Sequence, residues 1–259
     1  MSSNIWTRCA GDSELRALRL SPWRVVEAQH QISTRKLVDS ADEQALLESL
    51  IERAKPPEVT GGRQHYLLFT PFRYPPLRHG SRFGSRHERA IWYGSEHRRT
   101  AFAEVAYYRL LFLEGTHAAI GTVTTELTAF TVRMRSPRGV DLVAPPFDAY
   151  RRSIASPMRY SASQALGSAM RKAGVELFRF PSARDAAAEG GVNVGAFSHV
   201  VFGAVRPLGF ETWRCMAEHD RVELTRRDFF TRETFSFRRT QFLVGGALPS
   251  PALYRHDES

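Results

Sequence analysis

Apolar residues in this chain come in short clusters separated by turn formers, and the spacing within each cluster assigns an element. Leu46, Leu47, Leu50 and Ile51 recur at helical spacing behind an Asp39-Ser40 cap, so an amphipathic helix is expected over 41–54, stopped by Lys55-Pro56-Pro57. A second helix is expected over 98–113, where Ala101, Val105, Tyr108 and Phe112 mark one face. Glu104 sits one position off that stripe, near the helix start, where the helix dipole favours an acid. A third, over 161–173, ends at Gly174, a suitable left-handed cap. Leu15 and Leu18 place a short helix within residues 1–20. Strands are expected at 23–26, at 66–70 (a dense apolar run cut by Pro71), at 90–94 and within 118–135. Arg138-Gly139 reads as a turn before a strand at 140–143, and further strands follow at 175–180, 196–205, 221–224, 234–237 and 241–244. The sum is an α+β fold of short-stranded β-sheets flanked by helices.

Composition narrows the picture. With 42% hydrophobic residues over 259 positions, the chain can bury a substantial core, as one large domain or as a domain with an extension. The formal charge is +9, yet Lys36, Lys55 and Lys172 are the only lysines, so the basic side is nearly all arginine. A guanidinium fork suits two-point recognition of phosphate or carboxylate. Acids are interspersed among the arginines and no long basic block or nucleic-acid motif occurs, so direct nucleic-acid binding is not expected. Cys9 and Cys215 stand far apart, and His79, His87 and His97 are irregularly spaced, so neither a disulfide nor a metal is expected. The first residues are polar or charged around Trp6, and no apolar run approaches the ~20 residues of a membrane span. A soluble cytoplasmic protein with no membrane partner is the expectation.

P-loop, GxGxxG, GxSxG and HExxH fingerprints are absent. What remains is a constellation: Arg73 before Tyr74-Pro75-Pro76, Arg82 within Gly80-Ser81-Arg82-Phe83-Gly84, Tyr93 at a strand end, Glu104 in a helix, and Ser182 after Pro181. Arginine forks, an exposed aromatic and one acid suit a phosphate-bearing, ribose-containing ligand. Taken singly, each residue also has a plainer reading: a dipole partner for Glu104, a turn residue for Ser182, strand-end packing for Tyr93 and a surface turn for Arg82.

In this order and spacing, with Pro-Ser-Ala-Arg followed by a glycine turn and Asn193, residues 66–205 resemble the RES domain, a family named for an Arg, a Glu and a Ser. The resemblance implies an ADP-ribosyltransferase-like fold and a toxin of a type II toxin–antitoxin system, partnered by an Xre-type helix-turn-helix antitoxin. It also implies a reaction on NAD, taken as substrate: cleavage at the nicotinamide–ribose bond by hydrolysis or phosphorolysis, with protein ADP-ribosylation as an alternative. Carried over by position, Arg73, Glu104 and Ser182 are the catalytic candidates, and Arg82, Tyr93, Tyr74 and Asn193 join Arg73 as NAD contacts. Arg24 in Trp23-Arg24-Val25-Val26 also resembles the family's opening arginine, so both positions stand open. The division expected is a helical extension over 1–62 packed on the main domain, the RES-like domain over 63–245 and a tail over 246–259. A homodimer and a toxin–antitoxin hetero-oligomer are both compatible with it. A basic ribonuclease-type toxin and a nucleic-acid-binding module are the competing classes.

Overall fold

The computed structural model describes residues 4–28, 64–73, 78–116, 121–185, 190–228 and 232–250, with 40, 42, 43, 46 and 76 between them. The helix expected over 41–54 falls almost entirely outside the described residues, as do Tyr74 and most of the C-terminal tail.

Ten strands form one sheet: β1 (Arg16–Leu20), β2 (Trp23–Glu27), β3 (Trp92–Ser95), β4 (Val123–Thr131), β5 (Met134–Asp141), β6 (Leu177–Pro181), β7 (Val192–Ala196), β8 (Leu208–Ala217), β9 (Arg221–Arg226) and β10 (Thr234–Arg238). Their order is β1-β5-β6-β7-β3-β2-β4-β8-β9-β10, antiparallel throughout except for the β5–β6 pair. The described helices of four or more residues are α1 (Ile5–Arg8), α2 (Tyr66–Arg73), α3 (Arg98–Glu114), α4 (Arg151–Ile154) and α5 (Ser161–Lys172). The mixed α+β class expected from the sequence is observed, with a single large sheet in place of several small ones.

The centre of this sheet is its weakest seam. β2 and β3 share one register pair, Trp23 with Ser95, whereas β2 pairs with β4 over five positions and β3 with β7 over four. Behind the seam, Trp92, Phe130, Val194 and Leu68 of α2 belong to one buried cluster that spans both halves. In front, two separate cores stand apart: one joins α3 to β4, β8 and β9 around Phe102, Leu110 and Trp213, and the other joins α1 and α5 to β6 around Trp6, Phe83 and Phe178. Alternation along each strand produces this division, since Val25 and Tyr93 face the front while Val26 and Trp92 face the back.

Several expectations are corrected. The dense run at 66–70 is the helix α2, not a strand: Leu67 and Leu68 join the buried cluster behind the sheet, and a short apolar run carries no period that separates the two states. Residues 1–20 hold α1, a 3-10 turn (Gly11–Glu14) and β1 rather than a helix around Leu15 and Leu18, so the N-terminal residues supply two strands of the sheet itself. Arg138-Gly139 is not a turn but part of β5. A Cβ at Gly139 would lie 2.5 Å from the Leu18 side chain, so this glycine marks close packing between neighbouring strands. The strand expected over 196–205 stops at Ala196, where a 3-10 turn (His199–Val201) follows, and 241–244 is largely another such turn (Arg239–Phe242).

On α3 the buried stripe is Phe102, Ala106, Leu110 and Leu113, whereas Tyr108 and Phe112 are exposed. The stripe expected to face the core is shifted by one position. Its members Ala101, Val105 and Tyr108 instead line a cleft, and Glu104 stands among them at helical spacing.

Candidate functional site

The cleft opens where the sheet splits. It encloses about 560 Å³ between β2, β3, α3 and the loop at 80–82, and its lining includes Arg24, Arg82, Tyr93, Glu104, Tyr160 and Asn193. Arg73 ends α2 and is not among the lining residues, so the structure brings Arg24 rather than Arg73 to the other site residues.

Glu104 is held by one oxygen only. Its Oε1 accepts hydrogen bonds from Ser182 Oγ (2.9 Å) and Asn193 Nδ2 (2.7 Å). Among the described residues nothing donates to Oε2, although Glu104 lines the cleft. Each of these donors is fixed from behind. The Asn193 Oδ1 accepts from the buried Ser95 hydroxyl at 2.7 Å, which orients the amide with its nitrogen toward the carboxylate. The Ser182 Oγ accepts from the main-chain N–H groups of Arg184 and Asp185. Ser182 is buried and does not line the cleft, so its hydroxyl reaches Glu104 and not the open space.

Arg24 is the unusual member. Its Nη1 donates to the Tyr93 carbonyl at 2.7 Å and its guanidinium lies 5.2 Å from the Trp92 ring centroid. Its Nε is buried with no partner, and no carboxylate pairs with it among the described residues. Burial lowers its pKa to about 10, which still leaves it charged at neutral pH. A partly desolvated cation without a counter-ion is costly, and an entering anion relieves that cost. Arg82 is anchored more conventionally: Nη1 donates to the carbonyls of Ser156 (2.8 Å) and Ile154 (3.3 Å), and the guanidinium packs over the Tyr160 ring. The other nitrogens of its fork are not used in these bonds.

Tyr93 has its hydroxyl turned into the protein, where it accepts from the Phe83 N–H (3.2 Å) and meets Ser81 Oγ at 2.9 Å. Burial pushes its pKa up to about 12, so this phenol keeps its proton at any ordinary pH. It ties β3 to the loop that carries Arg82, while its ring packs against Phe180 on the cleft wall.

Sequence reasoning missed a main-chain element. The Ala28 N–H donates to the Glu126 carbonyl, and the Val132 N–H to the Pro22 carbonyl, so positions 22, 24, 26 and 28 direct their peptide groups toward β4. Positions 23, 25 and 27 therefore point the other way. Trp23 uses that side to meet Ser95, but past it the strands part, and Val25 presents its N–H and C=O to the cleft with no strand partner among the described residues. A main-chain donor and acceptor of this kind leave no signature in residue type; only the one-pair seam between β2 and β3 exposes them.

A family model described as the RES domain matches residues 55–218, a span that contains Arg73, Arg82, Tyr93, Glu104, Ser182 and Asn193, while Arg24 precedes it. No curated protein matches the chain.

Proposed function

The chain belongs to the RES-domain family, and from that premise we propose that it is an enzyme that binds NAD in the split of the sheet and cleaves the nicotinamide–ribose bond. The observation that carries this reading is Glu104, whose Oε1 is occupied by two donors while Oε2 is left for a ligand in a cleft that also holds two arginines. Cleavage of this bond passes through an oxocarbenium-like ribose, and a fixed carboxylate beside it stabilises the developing positive charge. Nicotinamide leaves from a ring that is already cationic, so no general acid is needed.

The remaining contacts follow from chemistry. Arg24 and the unused nitrogens of Arg82 take the pyrophosphate as charge-assisted donors, Arg24 replacing Arg73, to which the sequence reading gave that part. The Val25 N–H and C=O match the carboxamide of nicotinamide, acceptor to donor and donor to acceptor. Ser182 and Asn193 act through Glu104 by fixing its carboxylate. We read the fold as ADP-ribosyltransferase-like on the strength of this split-sheet cleft, and the protein as the toxin of a type II pair with an Xre-type helix-turn-helix antitoxin. No histidine is among the described residues lining the cleft, which disfavours the ribonuclease reading.

The experiment is incubation of the purified protein with NAD, with and without inorganic phosphate, followed by product identification by proton NMR. Free nicotinamide is expected in both, with ADP-ribose or its phosphorylated form identifying the acceptor. NAD left intact by folded protein in both conditions contradicts the proposal.

A further inference from the structure

Asp185 is a buried carboxylate that lies outside the cleft and takes no part in the proposed chemistry. Its Oδ2 accepts the Thr100 hydroxyl at 2.9 Å, and its Oδ1 lies 3.5 Å from the Arg99 Nε, both in the first turn of α3. Its own N–H donates to Ser182 Oγ, its carbonyl accepts the Gly191 N–H, and the Gly191 carbonyl accepts the Ser182 N–H. The Ser182–Asp185 turn is thus tied to Gly191 by main-chain bonds and fastened to α3 by the Asp185 side chain.

The fastening point matters because of helical spacing. Thr100 and Glu104 are four residues apart, so they stand on the same side of α3 one turn from each other. The same loop grips that side twice, Asp185 on Thr100 and Ser182 on Glu104. Only the second contact touches the candidate catalytic group. The first fixes where the loop sits against the helix, and with it the 2.9 Å separation between the Ser182 hydroxyl and Glu104 Oε1.

We infer that Asp185 is a positioning residue: by locking the Ser182 loop to the first turn of α3, it sets the orientation in which Glu104 presents Oε2 to the cleft. The inference rests on the proposed role of Glu104 for its catalytic consequence, but its geometric content is independent of that role. Displacement of a reacting group by about 1 Å costs on the order of a hundredfold in rate, so loss of this fastening should be felt mainly in the chemical step. Binding contacts made by Arg24, Arg82 and Val25 come from other elements and should persist.

The test compares Asp185→Ala, Thr100→Val, Ser182→Ala and the double variant Asp185→Ala/Ser182→Ala. Thr100→Val is nearly isosteric and removes the same contact from the helix side, so it serves if Asp185→Ala folds poorly. Either single change is expected to lower kcat for NAD cleavage by about ten- to a hundredfold with KM little altered. Adding Asp185→Ala to Ser182→Ala is expected to cost nothing further, because the path through Ser182 is already cut. A crystal structure of Asp185→Ala, or of Thr100→Val, should show the Ser182 hydroxyl out of hydrogen-bond reach of Glu104. Unchanged kcat, a full additional loss in the Ser182→Ala background, or a retained Ser182–Glu104 contact in the crystal overturns the inference. Should the wild-type protein leave NAD intact, the functional reading fails while the crystal structure still decides the role of Asp185.

Discussion

Arg24 places the proposed ligand chemistry and the stability of the fold in opposition within one side chain. Its Nε is buried with no partner, and desolvation lowers its pKa to about 10. The folded chain therefore binds this proton less tightly than the unfolded chain. The resulting cost is present across the neutral range and eases only as pH rises above about 10. Replacing buried ionic groups by well-packed apolar ones is often neutral or stabilising, by about 1–4 kcal/mol where a whole ion pair is replaced, and a single unpaired cation sets a smaller gain. Arg24→Met is accordingly expected to raise Tm, by about 2–4 °C for each kcal/mol gained, while abolishing most binding of ADP-ribose. Differential scanning calorimetry and titration calorimetry on the same variant check both halves. A variant that is destabilised and still binds ADP-ribose normally would return Arg24 to a structural role. The sequence favoured Arg73, with Arg24 as a second resemblance; the place of each in the fold, Arg24 on the cleft and Arg73 at the end of α2, reverses that preference, and neither is a property of a residue letter.

At the scale of elements, the decisive feature is the seam between β2 and β3, where Trp23–Ser95 is the one strand register pair among the described residues and the Arg24 side chain bridges to the Tyr93 carbonyl. Gly94 is required there because a Cβ at this position would lie 2.7 Å from the Trp23 carbonyl and 2.6 Å from the Trp92 ring. Gly94→Ala should therefore force the strands apart, with a loss of about 1–3 kcal/mol of the kind produced by overpacking. A lower Tm together with weaker ADP-ribose binding is expected, and unchanged values for both would show that the seam tolerates widening. The long periodic elements α3 and α5 were legible from spacing, as were β2, β3 and β6. The stripe on α3 was misread by one position, because the helix carries two adjacent apolar faces, one for the core and one for the cleft. Short apolar runs such as that of α2 could not be assigned at all without the sheet they cover. Ser182 and Asn193 were legible as positions, but their convergence on a single oxygen of Glu104 depends on β6 and β7 lying side by side, a pairing that no local pattern encodes.

For the whole molecule, the proposal is that one cleft serves both activity and control. The chain carries a formal charge of +9, and the cleft is lined by an arginine whose Nε is buried and which has no carboxylate partner among the described residues. A partner that inserts a carboxylate there would satisfy Arg24 as a substrate phosphate does, so we propose that the antitoxin occludes the cleft directly. ADP-ribose at saturation should then weaken antitoxin binding, and an affinity that does not change would indicate control from another surface. Among the described residues no helix is long and apolar enough to cross a membrane.

The central claim, that the free oxygen of Glu104 drives cleavage of a nicotinamide–ribose bond in this cleft, is tested most directly by Glu104→Gln. The amide keeps the shape of the side chain and can still accept hydrogen bonds from Ser182 and Asn193 through its carbonyl oxygen, but it carries no charge to stabilise the ribose cation. Nicotinamide release from NAD by this variant should fall by about 10²–10³-fold relative to wild type, with NAD binding retained and Tm little changed. Release at the wild-type rate by the folded variant would contradict the account.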